Sequence, residues 1–338
     1  MCVGSDGPAS RLSDRTVTVS LPRPIFRNRT RVEQRAIGTS GIEVTILGLG
    51  TAAFGGAGGS RGLADDNESI EAIHAAIDAG VTLFETDPNY GDGHSESLLG
   101  NAVRSRRDDF TLLSRHMAAH AERAAEHAGA YEHTIAQCEK TLRRMRCEVL
   151  DIYAFGPPGP DASIREIMRA MTELLSRGAI RAIGGANLDM EQIASALEFG
   201  PVHCLQTEFS MLNRRAATDL IPFCVEHDIA VLACGPLGGG ALARLEGNEP
   251  TANEQTQGPR RRVRPAMTER LAEIAKRIGK TPAQIVLNWT AAQPGVTAAI
   301  FGAKRPSHVV ENAAATGWSL DLKDAERIHQ LRDNPGEA

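Results

Sequence analysis

The chain has 338 residues, 42% of them hydrophobic and 23% charged, enough for a sizeable core and one barrel-sized domain, although the length alone also allows two domains. Its formal net charge of −5 gives no electrostatic reason to expect nucleic acid or an anionic membrane as partner, which leaves a small-molecule substrate as the default. No apolar run reaches the length needed to span a bilayer and the amino terminus lacks the order of a secretory signal, so the expected location is the cytoplasm.

Residues 1–31 mix Ser, Pro, Arg and Gly without a sustained period and read as a flexible extension, so the domain is expected to occupy residues 32–338. Short apolar runs then alternate with helical stretches. Strands are predicted at Ile46–Gly50, Thr82–Glu85, Thr111–Ser114, Leu150–Tyr153, Ala179–Ile183, Cys204–Gln206, Ala230–Ala233 and Ala298–Phe301, their continuous apolar character suiting a parallel sheet buried on both faces. Asn67–Ala79 carries Ile70, Ile73 and Ala76 or Ile77 on one helical face, and Ser163–Ser176 carries Ile164, Ile167, Met171 and Leu174. Asp65 or Asn67 is the predicted cap of the first helix, and Ser307, after Pro306, that of the last. The polar stretch Leu245–Arg264, with Arg260, Arg261 and Arg262, is too long for an ordinary connection and reads as a lid or mobile loop. Eight alternating units favour a closed α/β barrel, (β/α)₈, over an open sheet. The six cysteines, Cys2, Cys138, Cys147, Cys204, Cys224 and Cys234, lack CxxC spacing, so reduced core thiols are expected, with neither disulfides nor a metal site.

The segments "RAIGTSGIEVTILGLGT", "AGVTLFETDPNYGDGHSESLLG", "IRAIGGANLDMEQI", "LQTEFSMLNR", "IAVLACGPLGGGAL", "TPAQIVLNWTAAQPGV" and "AAIFGAKRPSHVVEN" resemble, in order, landmarks of the aldo-keto reductases. The resemblance covers nearly everything from Val32 onward. It implies an N-terminal β-hairpin that closes the floor of the barrel, a site at the carboxyl ends of the strands, and NADP(H) bound across the barrel mouth without a dinucleotide-fold glycine loop. It further implies that Asn187 and Gln206 hold the nicotinamide carboxamide and that Phe209 offers its face to the ring. Ala186 stands where the family often has a serine, so one hydrogen bond to the carboxamide is missing. Pro236, Leu237 and Gly238 to Gly240 match the pyrophosphate-side loop, where glycines let backbone N–H groups approach phosphate. In "FGAKRPSHVVEN", Gly302, Lys304, Arg305, His308 and Asn312 match the far end of the nucleotide site, with Lys304 and Arg305 on the 2′-phosphate that separates NADP from NAD.

The family's catalytic set is Tyr, Lys, Asp and His. Mapped onto this chain, the tyrosine is kept as Tyr90, the aspartate position holds Glu85, the lysine position holds Arg115 and the histidine position holds Gly156. A phenol of ordinary pKa near 10 is a weak acid unless a cation stabilises its anion. Arg115 is expected to pair with Glu85 and to favour the ionised forms of both Glu85 and Tyr90, yet a guanidinium cannot relay a proton. Loss of the donor at Gly156 is expected to slow unaided carbonyl reduction by on the order of a hundredfold to a thousandfold. His94 and His116 are the substitute donors within reach in sequence, although surface or supporting roles are the plainer reading of each. Asp87 is a third carboxylate in the same loop. Three classes of function remain open: an NADP(H)-dependent oxidoreductase with an altered catalytic set; a dehydratase, lyase or isomerase using Glu85, Tyr90 and Arg115 for acid–base work; and a non-catalytic nucleotide-binding protein on the same barrel.

Overall fold

The computed structural model describes Met1 and residues 32–54, 65–116, 129–159, 163–243, 263 and 265–331. The chain divides into Met1–Thr30 and Arg31–Ala338, and the fold below is that of the second part. The expectations for the N-terminal extension and for nearly all of Leu245–Arg264 lie outside the described residues.

The first elements form the hairpin that the resemblance implies. Strands β1 (Gln34–Ala36) and β2 (Glu43–Thr45) pair antiparallel, Arg35 opposite Val44. Ile37, Ile42 and Val44 are buried with Leu83, Leu113 and Ile152 in the lower layer of the barrel interior. Gly38 in the hairpin turn has φ +49°, and a Cβ there would lie 2.5 Å from the His203 carbonyl oxygen and 2.6 Å from that of Asp228. Only glycine lets the turn press so closely on its neighbours.

Eight strands then close the barrel: β3 (Leu47–Gly50), β4 (Leu83–Glu85), β5 (Thr111–His116), β6 (Leu150–Phe155), β7 (Ile180–Ala186), β8 (Cys204–Glu208), β9 (Ala230–Cys234) and β10 (Val296–Gly302). All neighbours are parallel, and β10 returns to β3 with Ala299 opposite Leu47. Each strand overlaps the stretch predicted for it, because a strand covered on both faces needs a continuous apolar run. Alternation sends every second side chain inward. Above the apolar layer that holds Leu83, Leu113, Ile152, Cys204 and Leu232, the same faces of β4, β5, β8 and β9 carry Glu85, Arg115, Gln206 and Cys234. The inward positions of β6 and β7 are small, Ala154, Gly184 and Ala186.

Ten helices are described outside the barrel: α1 (Asp66–Asp78), α2 (His94–Val103), α3 (Ala130–Met145), α4 (Ile164–Ser176), α5 (Met190–Leu197), α6 (Leu220–Glu226), α7 (Pro265–Ile278), α8 (Pro282–Ala291), α9 (Pro306–Ala313) and α10 (Leu322–Gln330). Asp65 caps α1 by accepting the Asn67 and Glu68 N–H groups. The predicted cap at Ser307 is corrected: α9 starts at Pro306 with Arg305 in the cap position, because the fixed φ of proline suits the first helical residue. Nor is α9 the last helix, since α10 follows with Asp321 as its cap. Arg214 donates to the carbonyl oxygens of Ile328, His329 and Leu331 at the end of α10, and its guanidinium lies 4.8 Å from the centre of the Trp289 ring. Buried Asp151 ties three strands together, accepting from the Leu112 N–H at 2.9 Å and pairing with Arg107 and Arg181 at 2.7 Å each. Among the described residues no helix is long and apolar enough to cross a membrane, and Cys138, Cys147, Cys204, Cys224 and Cys234 are free thiols.

Candidate functional site

The carboxyl ends of β4 and β5 and the loop after β4 bring four polar side chains together. Arg115 Nη2 donates to the Tyr90 hydroxyl at 2.6 Å, and the hydroxyl donates to Glu85 Oε1 at 3.2 Å. Arg115 Nη2 also lies 3.3 Å from Glu85 Oε1, while its Nε donates to Asp87 Oδ2 at 2.7 Å. Asp87, noted in the sequence only as a third carboxylate, is therefore the guanidinium's nearer carboxylate partner. Its other oxygen accepts the Asn89 N–H at 2.7 Å and so shapes the loop that carries Tyr90.

The electrostatics differ from expectation. Burial raises the Glu85 carboxyl above the ordinary carboxylate range despite the opposing Arg115 charge and a hydrogen bond from Gln206. The expectation of a phenol with lowered pKa is overturned: Arg115 acts in that direction, but burial first, then the Glu85 charge, raise the phenol well above its usual value. Burial alone would lower Arg115, but Glu85, Tyr90 and Asp87 together hold its guanidinium charged. Cys234, which sequence reasoning did not single out, sits beside the same groups, and burial pushes its thiol up to about 12. Its even spacing from inward-facing Leu232 was the available signal.

Gly156 follows β6 directly, is buried, and donates its N–H to the His116 carbonyl oxygen at 2.9 Å. Neither histidine replaces the missing donor. His94 is half-buried and pairs with Asp66 at 2.7 Å. His116 is one residue past Arg115, so it faces out of the barrel, where its Nε2 meets Thr134 Oγ1 at 3.3 Å and its ring lies 5.1 Å from that of His133. Burial, with His133 beside it, lowers its pKa to about 3, so the imidazole is neutral.

On the nucleotide side, Gln206 is 2% exposed and its Oε1 has no hydrogen-bond partner among the described residues. A buried amide oxygen without a donor is an unmet requirement that a ligand N–H group fits. Asn187 stands beyond the end of β7 with φ +56°, its N–H bonded to the Gln206 carbonyl oxygen at 2.8 Å and its side chain exposed at the mouth. It lines an open groove of about 620 Å³ with Thr207, Glu208, Asn213 and Arg215. Phe209 is corrected: it is 1% exposed and stacked on Trp289, ring centres 6.1 Å apart and planes 10° apart, so its faces serve the core. Pro236 and Leu237 are buried, while Gly238, Gly239 and Gly240 turn with φ of +59°, +70° and +90°. At Gly239 and Gly240 a Cβ would meet nothing within 4 Å, so this backbone is open to a ligand. Gly302 and His308 are exposed, Lys304 is half-buried, and Asn312 is buried on the inner face of α9. Exposed Arg305 has its Nε 3.5 Å from Glu68.

A closed parallel barrel with a phenol, a guanidinium and two carboxylates converging at the carboxyl ends of its strands is an enzyme-type scaffold with proton-handling groups at its mouth. The model of the Aldo/keto reductase family matches residues 46–333, and the chain belongs to that family. Aldo-keto reductase YhdN of Bacillus subtilis (strain 168) is 31% identical over 322 residues, covering 90% of this chain and 94% of its own. The NADH-specific methylglyoxal reductase of Escherichia coli (strain K12) is 26% identical over 317 residues, covering 88% and 97%. Among solved structures, the aldo-keto reductase from Klebsiella pneumoniae in complex with NADPH is similar at a TM-score of 0.73 and 29% identity, covering 90% of this chain and 97% of its own. The glycerol dehydrogenase AKR11B4 from Gluconobacter oxydans is similar at 0.73 and 26%, covering 86% and 91%.

Proposed function

We propose that this chain is an NADP(H)-dependent oxidoreductase that interconverts a small carbonyl compound and its alcohol through an altered catalytic set of Tyr90, Glu85, Arg115 and Gly156. One observation carries the reading: the Tyr90 hydroxyl is held between Arg115 and Glu85 at the barrel mouth, on the same interior face as the unsatisfied amide oxygen of Gln206. The names of the relatives agree, since they include a methylglyoxal reductase, a glycerol dehydrogenase and a reductase bound to NADPH.

Gln206 and Asn187 would hold the carboxamide, the Leu237–Gly240 backbone the pyrophosphate, and Lys304 with Arg305 the 2′-phosphate, Arg305 leaving Glu68 to do so. A bound nicotinamide supplies or takes up the hydride. Tyr90 gives its proton to the substrate oxygen, and Arg115, already on the phenol oxygen, stabilises the phenolate left behind. Gly156 supplies room in place of a donor, so simple aldehydes are slow substrates and bulkier ones are admitted. The catalytic unit is the domain of residues 32–338, acting on a small molecule in the cytoplasm. A second reading, an acid–base enzyme without redox chemistry, is favoured by the raised carboxyl of Glu85 beside Tyr90.

Fluorescence titration with NADPH and NADH, followed by nucleotide absorbance against a panel of aldehydes, ketones and alcohols, separates the readings. Saturable NADPH binding with turnover of a carbonyl or alcohol is expected. Binding without any turnover favours the second reading, and no binding by either nucleotide removes the cofactor from the account.

A further inference from the structure

We infer that Glu85 is the proton store of this site, holding a proton in its buried carboxyl and passing it through the Tyr90 hydroxyl to the substrate oxygen. The inference rests on the carbonyl-reducing function proposed above, and it starts from what Arg115 cannot do. A guanidinium stays charged at any working pH, so the cation beside Tyr90 stabilises charge but has no proton to give.

Among the described residues, geometry leaves one other partner. The Tyr90 oxygen accepts from Arg115 Nη2 at 2.6 Å and its hydroxyl donates to Glu85 Oε1 at 3.2 Å, a contact along which a protonated Glu85 can donate back once the phenol has lost its proton. Glu85 is 3% exposed, so its proton exchanges with water through its neighbours and not directly. Titratable and charged groups face it from three elements, Arg115 on β5, Asp87 and Tyr90 in the loop after β4, and Cys234 on β9, and the neutral Gln206 amide faces it from β8. Burial outweighs the single cation among them, and Asp87 shares that cation at 2.7 Å. The carboxyl is thus displaced toward its neutral form and the phenol further toward its own. A carboxylic acid is the stronger acid of the two by several powers of ten, so a phenolate at Tyr90 would draw the proton from Glu85.

The steps balance. As the carbonyl carbon receives the hydride of the reduced nicotinamide, the Tyr90 O–H bond breaks and an O–H bond forms on the substrate oxygen. The Glu85 O–H bond breaks and the Tyr90 O–H bond re-forms. Glu85 is left as a carboxylate 3.3 Å from Arg115 Nη2, and it regains a proton from solvent when product leaves.

The test has one spectroscopic and one kinetic arm on the full-length chain. Infrared difference spectra over a pH series, wild type minus Glu85→Gln, should show a carboxylic-acid C=O band that persists above the ordinary carboxylate range. Should Glu85→Gln fail to fold, Tyr90→Phe identifies the same band, because loss of the phenol hydrogen bond shifts it and raises its midpoint. In single turnovers with NADPH and the best carbonyl of the panel, Glu85→Gln should be slower by about a hundredfold. Wild type should lose rate as pH rises through the infrared midpoint and should give a curved proton inventory in mixed H₂O and D₂O, since two protons move. A carboxylate band already complete in the ordinary range overturns the inference, as does a Glu85→Gln variant with wild-type rate and pH profile. If no carbonyl or alcohol is turned over, the proposed function fails, and the infrared midpoint with its response to Tyr90→Phe still decides whether Glu85 stores a proton for Tyr90.

Discussion

Replacing Arg115 with methionine removes the one cation that the described residues place against two buried carboxyl groups, Glu85 and Asp87. The guanidinium lies 2.7 Å from Asp87 and 3.3 Å from Glu85; its side chain is 13% exposed and each carboxylate 4%, so solvent screens the pairs little. Breaking one buried pair by removing a partner costs about 3–5 kcal/mol. Burial displaces the Glu85 carboxyl toward its neutral form, so the lower end of that range applies. A loss of about 3 kcal/mol at pH 8 is a factor of more than a hundred in the folding equilibrium. A carboxyl raised in the folded state contributes stability that is complete below its unfolded value and lost as pH rises through the folded one. The deficit of Arg115→Met should therefore be smaller at pH 5 than at pH 8. Urea unfolding of wild type and variant at both values, compared at a common slope, measures this. A loss below about 1 kcal/mol at pH 8 would refute the reasoning that this pairing is energetically important, and an equal loss at both pH values would refute the protonation argument.

Phe209→Ala should lower stability by about 3–5 kcal/mol as a core truncation while leaving NADPH affinity within twofold; a large drop in affinity at little stability cost, read by urea midpoint and nucleotide titration, would restore a role for Phe209 in the site. His116, held to about 3 where the ordinary value is 6.5, binds its proton less readily folded than unfolded. Its contribution is complete above that ordinary value and is lost as pH falls, at about 1.4 kcal/mol per unit. His116→Gln should flatten the fall in stability between pH 6 and 4, and an unchanged slope in urea midpoints counts against it. Lys304→Ala with Arg305→Ala should weaken NADPH at least tenfold and NADH little, by fluorescence titration; equal weakening of both nucleotides would show that the pair does not read the 2′-phosphate.

The barrel was legible because its strands are buried on both faces, which writes each as an uninterrupted run such as that of β6, Leu150–Phe155. The floor hairpin was legible only through resemblance, since Gln34–Ala36 and Glu43–Thr45 are too short to show a period. Within the site, strand parity separates side chains that enter the barrel from those that do not. Glu85, Arg115 and Gln206 share the inward parity of their strands, whereas His116 stands one residue from Arg115 and so faces the helices, and Phe209, beyond the end of β8, packs on Trp289. For Phe209 the resemblance pointed to the ring site, whereas for His116 the supporting role was already the plainer reading. The direction of the Tyr90 shift was not legible at all. It depends first on how deeply the phenol is buried and then on the Glu85 charge outweighing that of Arg115, neither of which spacing along the chain reveals.

The part played by Tyr90 is tested most directly by one single-turnover comparison. Wild type and Tyr90→Phe, each saturated with NADPH, are mixed with the carbonyl compound that wild type reduces best, and nucleotide absorbance is followed. A phenol that donates the proton predicts a rate at least a hundredfold lower in Tyr90→Phe, with NADPH affinity unchanged because the variant deletes one hydroxyl and no nucleotide contact. Equal rates would contradict it, placing the proton donor outside the cluster of Glu85, Tyr90 and Arg115.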